Sequence, residues 1–472
     1  MTPSEPSLQM QALFEAQRSA FAGEPYAGWP TRRDRLQRLR RLLTENERAI
    51  EEAIDRDFGH RPAIETQLAE IFPSLEEIKA ALRDGRGWMK SRHAPVSKWF
   101  LPARGRLLPK PLGVIGIIVP WNYPVFLSVG PMVGALAAGN RVMLKLSEHT
   151  PAFADCFAQL CARYFAAEEV AVVLGGPEVA ASFSSLPFDH LLFTGSTAVG
   201  RIVMSAAAAN LTPVTLELGG KSPAVVAPGY PLQRAVTRIL AGKLLNAGQT
   251  CIAPDYVLVP RGEVERFVTA ARTQAARMYP AGLASTDYCS IINERHYRRL
   301  NGYLEQAQGA GARIEPLFGG ALRDAGARRL APVLIVNPEL ELNAMQEEIF
   351  GPLLPLVPYD RLDEAVAFIA KQPRPLALYW FDRDEKRVQW ALRNTLAGGV
   401  SVNDTLLHIA QDALPFGGIG PSGMGHYHGR WGFDTFSKLK PIFRQAHFNA
   451  MGLFLPPYRP LARRLLELMK RL

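Results

Sequence analysis

Apolar positions fall into two textures along the chain. Between Thr31 and Phe58 they recur at helical spacing (Leu36, Leu39, Leu42, Leu43, Ala49, Ile50, Ala53, Ile54), and Gly59 ends the run. Thr31 and Asp34 stand at capping-box spacing, which predicts that this helix starts at Thr31. A second amphipathic helix is predicted over about residues 64–83. From Pro111 the texture changes. GVIGIIVP, NRVMLKL, AVVL, HLLFTGS and PVTLELGG are short, uninterrupted apolar runs, separated by helical stretches over residues 151–165 and from about Thr197. Such runs suit strands buried on both faces. Their alternation with helices predicts an α/β fold with a doubly wound parallel sheet.

After Glu217 the alternation begins again with SPAVVAPG, YVLVP, APVLIV and PLALYWF, which predicts a second α/β domain. The expected division is residues 1–217, residues 218–405, and a return segment with a basic tail over 406–472. SKWFLPARGRLLPKPL, about residues 95–110, reads as a projecting arm or hairpin. No Pro/Ser linker interrupts the chain near Glu217, so a broad interface between the two domains is expected.

Composition adds exclusions. A chain of 472 residues exceeds the usual size of one core, in keeping with two domains. At 48% hydrophobic and 21% charged, the composition is that of an ordinary globular protein. No apolar run is long enough to span a bilayer, and the N-terminus lacks the features of a secretory signal, so a cytoplasmic protein is expected. The four cysteines (Cys156, Cys161, Cys251, Cys289) form no CxxC pair and are expected to be reduced thiols. The formal charge of +10 is dispersed and accompanies no nucleic-acid motif, so no nucleic-acid partner is expected. His426 and His428 form an HxH pair without acidic or cysteine companions, and no metal is expected there.

In doubly wound sheets ligands sit beyond the carboxyl ends of strands, so the residues after each strand carry the chemistry. In IVPWNYP, Asn122 follows a strand, with Pro120 and Trp121 before it. Its amide suits an oxyanion donor, and equally a turn. In LKLSEHT, Lys145 and Glu148 suit ribose hydroxyls or a solvated pair. In FTGSTAVG, Gly195, Ser196 and Gly200 place a helix N-terminus where it can take a phosphate or serve as a plain cap. In VTLELGGKSP, Glu217 with Leu218 beside it suits a general base of raised pKa, or a partner for Lys221. In LLNAGQTCIAPD, little bulk screens Cys251, and no neighbouring His or Asp activates it. The run GKLLNAGQ is expected to project the sulfur at a helix end. In QEEIFGP, Glu348 suits a ribose and Phe350 a flat ring. LPFGGIGPSGMGHYHGRWGF, dense in glycine and aromatics, suits a loop lining a pocket or interface.

PWNYP, LKLSE, FTGSTAVG, LELGGKSP, GQTC, EEIFGP and PFGG occur in an order that resembles the aldehyde dehydrogenase superfamily over about residues 36–440. The chain is most similar to its shorter, class-3-type branch, on PLALYWF, VNDTLLH and MGHYHGRWGFDTFS. HIAQDALPFGGIGPSGMGHYHG resembles the coniferyl aldehyde dehydrogenases of bacteria. Leu146 departs from the proline common at that position, a change expected to alter loop stiffness.

The resemblance implies a fold of an NAD(P)-binding domain, a catalytic domain and a small oligomerisation arm. It implies Cys251 as nucleophile, Glu217 as the base that activates the hydrolytic water, and Asn122 with the Cys251 N–H as oxyanion donors. It further implies cofactor contacts from Pro120, Trp121, Lys145, Glu148, Gly195, Ser196, Gly200, Leu218, Glu348 and Phe350. NAD is the expected cofactor, since Glu148 opposes a 2′-phosphate, with NADP as the alternative because Lys145 stands nearby. The implied substrates are hydrophobic aldehydes, aromatic of the coniferyl type or medium- to long-chain aliphatic, and the implied assembly is a homodimer. A coenzyme A-acylating enzyme is the rival reading, against which Glu217 argues.

The tail PPYRPLARRLLELMKRL places Leu461, Leu465, Leu468, Met469 and Leu472 at helical spacing, with Arg463, Arg464, Lys470 and Arg471 between them. It is expected to dock on its own or a partner subunit, or else to lie peripherally on an anionic inner-membrane surface.

Overall fold

The computed structural model describes residues 5–471. Two large sheets organise it. A six-stranded sheet runs in the order Gly423–Met424, Val214–Glu217, His190–Thr194, Val114–Ile118, Arg141–Lys145, Val170–Val173. All of its pairings are parallel except that of Gly423–Met424, which runs antiparallel. A seven-stranded sheet runs Arg313–Pro316, Val333–Val336, Leu353–Tyr359, Tyr256–Pro260, Pro223–Val226, Ala377–Phe381, Gly399–Val402. Only its first pairing is antiparallel. The α/β reading of the sequence is thus borne out, and each apolar run named above lies in one of these sheets. The central strands are buried along their whole length because helices cover both faces.

The stretch before Pro111 forms a three-stranded antiparallel sheet. Arg92–Ala94 pairs with Arg104–Pro111, which pairs in turn with the late strand Ser437–Arg444. After Val402 the chain therefore returns to the first sheet through Gly423–Met424 and then to this arm.

The helices depart from the sequence reading in four places. The helix expected over 31–58 is two, Trp29–Thr44 and Glu47–Phe58. Asn46 breaks it by donating back to Leu42 O at 2.9 Å, the competition for backbone groups that makes Asn a poor helix-interior residue. The first helix starts at Trp29, with Pro30 in its first turn and no side-chain cap, and Asp34 pairs with Arg38 instead of capping. The second amphipathic stretch is Ala63–Thr66, a π-turn Gln67–Ile71 and a helix Phe72–Trp88. Pro73 has no N–H to continue the α-ladder, and the wider turn lets the Phe72 N–H reach Gln67 O. The helix Glu5–Gly23 has no counterpart in the sequence reading. It buries Met10 and Phe14, the latter edge-on to Phe188 at 5.3 Å.

The tail forms the amphipathic helix Pro460–Arg471. It packs on the short turn Met451–Phe454, buries Ala462, and leaves Leu461, Leu466 and Leu468 exposed. Among the described residues no helix is long and apolar enough to cross a membrane.

Candidate active site

Strand Val114–Ile118 connects onward to Arg141–Lys145 on one side, whereas its other neighbour, His190–Thr194, connects onward to Val214–Glu217. The loops leaving these two strands diverge, which opens a crevice at the carboxyl edge. Val119–Asn122 and Gly195–Ser196 are the residues that leave there. Asn122 is buried. Its Nδ2 donates to Gln249 O at 3.2 Å, and its carbonyl accepts from Arg61 Nη1 at 3.0 Å and Asn246 Nδ2 at 3.1 Å. Arg61 is itself fully buried and paired with Glu70 at 2.8 Å. Glu70 Oε2 accepts the Val125 N–H at 2.7 Å, so the loop carrying Asn122 is held from both ends.

Cys251 does not sit at a helix end. The helix Leu232–Leu244 stops first, and Asn246, Ala247 and Gly248 take φ of 52°, 50° and 78°. Three left-handed residues in a row turn the chain sharply, and Gly248 is required because a Cβ would collide with Gly351 O. The Gln249 amide fixes the turn through Ser290 O, Asn246 O and the Ile292 N–H at 2.9–3.0 Å. Thr250 is bonded to Tyr123 Oη at 2.6 Å. Cys251 is half-buried, while Cys161 and Cys289 are buried. Burial pushes its thiol up to about 12, Glu348 and Glu217 add to the rise, and the Cys251 and Ile252 N–H groups oppose it.

Glu217 ends strand Val214–Glu217, is 3% exposed, and has no hydrogen-bond partner on either oxygen among the described residues. Burial raises it well above the usual carboxylate range. Pairing with Lys221, the alternative read from sequence, does not occur: Lys221 binds Asp255 and donates to Ala344 O at 2.8 Å. Glu348 arrives from the second sheet and lies against Gly219, where any Cβ would overlap its carboxylate. Burial lifts Glu348 to about 8, with Asp255 adding to it, and its Oε1 is buried without a partner. Phe350, at φ 50°, stands edge-on to Trp121 at 5.4 Å.

Further out, Lys145 is buried, donates to Leu146 O at 2.7 Å and lies 3.7 Å from Glu148. Ser196 caps the helix Thr197–Ala208 by accepting the Val199 N–H. Gly200 lies beneath Leu218, where a Cβ would stand 2.7 Å from Leu218 Cδ2, so its role is close packing of helix on strand. Asn122, Glu217, Cys251 and Glu348 are therefore brought to one junction, with Trp121 and Phe350 beside it. The remaining cofactor candidates line the first sheet's edge.

Sequence reading missed several neighbours. His296 lies 5.2 Å from Trp121, and Arg299 holds the Glu348 loop through Ile349 O at 2.8 Å. Both stand on helix Glu294–Gly309, whose sequence carries no motif. Tyr427 is fully buried, with an unpartnered hydroxyl in the field of Glu217 and Cys251. Its signal was the aromatic, glycine-dense stretch around it. His428 stacks on Phe416 at 5.3 Å and His426 packs edge-on to Trp431.

The chain belongs to the aldehyde dehydrogenase family, which residues 3–442 match. It is an oxidoreductase of that family. A probable coniferyl aldehyde dehydrogenase of Pseudomonas aeruginosa is 53% identical over 95% of this chain and 94% of the relative. The solved structure of Staphylococcus aureus AldH in a substrate-bound state superimposes with a TM-score of 0.92 at 38% identity, covering 98% of this chain and 99% of the other. A Mycobacterium tuberculosis aldehyde dehydrogenase complexed with NAD+ gives 0.83 at 26% identity over 94% and 92%.

Proposed function

We propose that this enzyme oxidises hydrophobic aldehydes of the coniferyl type to carboxylic acids with NAD, using Cys251 as nucleophile and Glu217 as base. The observation that carries this reading is one half-buried thiol in the field of two buried carboxylates, Glu217 without a hydrogen-bond partner among the described residues and Glu348 with one oxygen unpartnered. The coniferyl class is supported by the 53% identical relative, and medium- or long-chain aliphatic aldehydes are the alternative class.

The residues fit a nicotinamide nucleotide. Glu348 has an orphaned, buried oxygen, and Gly219 leaves space beneath it that a side chain would fill. Glu348 would hold one ribose, Lys145 and Glu148 the other, and the N-terminus capped by Ser196 the pyrophosphate. Phe350, Trp121, Pro120 and Leu218 would border the ring. When bound, the cofactor supplies the hydride acceptor.

The chain's own residues do the rest. Cys251 gives up its thiol proton to water as Sγ adds to the aldehyde carbon. Asn122 Nδ2 and the Cys251 N–H donate to the oxygen that becomes negative, and one such donor contributes about 3 kcal/mol. Glu217 then takes a proton from the water that cleaves the thioester, and its burial makes it a stronger base than an exposed carboxylate. Glu217 in that position favours water over coenzyme A as the acyl acceptor, so turnover should be independent of added coenzyme A.

Two further readings complete the proposal. Residues 1–217 and 218–405 act as cofactor and catalytic domains, and the chain works as a homodimer through the arm and the return segment. Phe443 in the arm and Val402 on the edge strand of the seven-stranded sheet are both exposed, which supports that assembly. The tail helix, with Arg463, Arg464, Lys470 and Arg471 beside its uncovered leucines, rests on anionic membrane. Anionic vesicles should sediment the full chain and not a chain lacking residues 456–472. Equal recovery of the two would remove the membrane reading.

The central test is Cys251→Ala. It should abolish aldehyde-dependent NADH formation while NAD still binds by calorimetry. Substantial turnover in that variant would refute the assignment.

A further inference from the structure

Three buried carboxylates stand on the helical stretch Ala63–Trp88, and one of them is unlike the others. Glu65 and Glu70 both lie in the field of Arg61. Glu77 is 2% exposed and faces no cation among the described residues. Its one protein hydrogen bond there is the Gly429 N–H at 3.4 Å, and its charged neighbour is another acid, Asp412. An ionised group so placed is costly, and a neutral side chain would accept from Gly429 equally well.

Tyr427 lies beside it. A Cβ built on Gly130 would stand 3.0 Å from Glu77 Oε2 and 3.3 Å from Tyr427 Cε2, so both groups converge on the bare face of that glycine. The Tyr427 hydroxyl is buried and bonded to nothing among the described residues. Its ionisation is opposed by burial and then by Glu217, Glu77 and Cys251, which places it in the field of all three. Glu217 lies near the same stretch: its Oε1 is 3.1 Å from the Cβ position of Gly417, next to Phe416, which bridges Tyr427 in antiparallel fashion. Asp412 backs Gly429, its Cβ 3.6 Å from where a Gly429 side chain would begin, and is only half-buried. Arg83 and Glu76 lie on its outer side.

We propose that Tyr427, Glu77 and Asp412 form a proton exit leading from Glu217 to the protein surface. The proposal rests on the reading of Glu217 as base. In hydrolysis the water oxygen bonds to the thioester carbon, its proton passes to Glu217, the carbon–sulfur bond breaks with its electron pair going to Cys251 Sγ, and Sγ takes the proton that the product acid gives up, which returns it to the neutral thiol. Glu217 must lose that proton before the next turnover, yet no protein group accepts from it directly. The Tyr427 hydroxyl, which lies in the field of Glu217, takes it and releases its own proton towards Glu77. The phenol is neutral before and after. Glu77 passes the proton by Asp412 to solvent. One proton moves, and no electrons are transferred.

The test uses p-nitrophenyl acetate with the full-length enzyme, because this ester acylates a thiol without cofactor and separates acylation from hydrolysis. The variants are Tyr427→Phe, Glu77→Gln and Glu217→Gln. Tyr427→Phe and Glu77→Gln should keep the initial burst of nitrophenolate and slow the following steady phase at least about tenfold. Added imidazole should restore part of that phase in these variants and leave the wild type unchanged, a response that a loss of packing would not give. Wild-type steady rates in Tyr427→Phe, or slow rates that ignore imidazole, overturn the relay. If Glu77→Gln does not fold, Tyr427→Phe decides. Hydrolysis at the wild-type rate in Glu217→Gln overturns the reading of the base itself, whereas a slow Glu217→Gln beside an unaffected Tyr427→Phe overturns the relay alone.

Discussion

The side-chain amide of Asn122 donates to the carbonyl of Gln249 at 3.2 Å, which ties the loop after the first sheet's central strand to the turn that presents Cys251. One amide hydrogen is engaged there and the other is free to meet an oxyanion. Asn122→Ala removes both functions. Its kcat/KM should fall about 10²–10³-fold, the usual loss of one oxyanion donor. Asn122→Asp keeps the size and loses the donor, so it should fall comparably. A wild-type rate in either variant would exclude Asn122 from oxyanion stabilisation.

Burial, then Glu348 and Glu217, hold the Cys251 thiol near 12 in the free enzyme, so it is neutral at pH 7. Alkylation needs the thiolate. Its rate with iodoacetamide should therefore climb about tenfold per pH unit well beyond pH 9. Glu348, itself raised to about 8, becomes charged over this range. Glu348→Gln removes a negative neighbour and should lower the thiol pKa. Alkylation should then be faster at pH 9, with a smaller difference at pH 7 where Glu348 is largely protonated. A rate that levels off below pH 9 would contradict this account.

Much of this arrangement was legible because strands buried on both faces leave uninterrupted apolar runs, and chemistry in such folds collects just after them. Asn122, Glu217 and Cys251 each follow or adjoin such a run. What escaped was set partly by single local side chains and partly by tertiary contact. The break at Asn46 depends on a polar side chain competing with its own helix, and the π-turn on the missing N–H of Pro73. His296, Arg299 and Glu77 lie on helices whose patterns describe only a buried face and say nothing of what it is buried against. The turn before Cys251 differs from the expected helix end because the chain leaves the helix at Leu244 and takes positive φ at Asn246, Ala247 and Gly248, the last kept free of a side chain by Gly351 O.

The Arg61–Glu70 pair is completely buried and ties the π-turn to the Asn122 loop through Asn122 O and the Val125 N–H. Glu70→Ala leaves the Arg61 cation unpaired in the core. Unfolding free energy should drop by about 3–5 kcal/mol. Glu70→Gln, which can still accept from Val125, should lose less. Denaturant titration measures both, and equal stability of Glu70→Ala and wild type would show that the pair is not what holds the loop.

On the proposed reading of the adenosine ribose site, cofactor choice turns on Glu148. Its carboxylate lies 3.7 Å from Lys145 Nζ and is about a third exposed, so repulsion of a 2′-phosphate there is partly screened by solvent. Glu148→Gln removes the repulsion and frees the Lys145 ammonium, which is otherwise bonded only to Leu146 O. The ratio of kcat/KM for NADP to that for NAD should rise about tenfold, which corresponds to ~1.4 kcal/mol of partly screened Coulomb energy. Glu148→Lys should raise it further. Both ratios are read with one aldehyde at fixed, low ionic strength. A ratio that stays at the wild-type value in both variants would place the adenosine ribose away from Glu148.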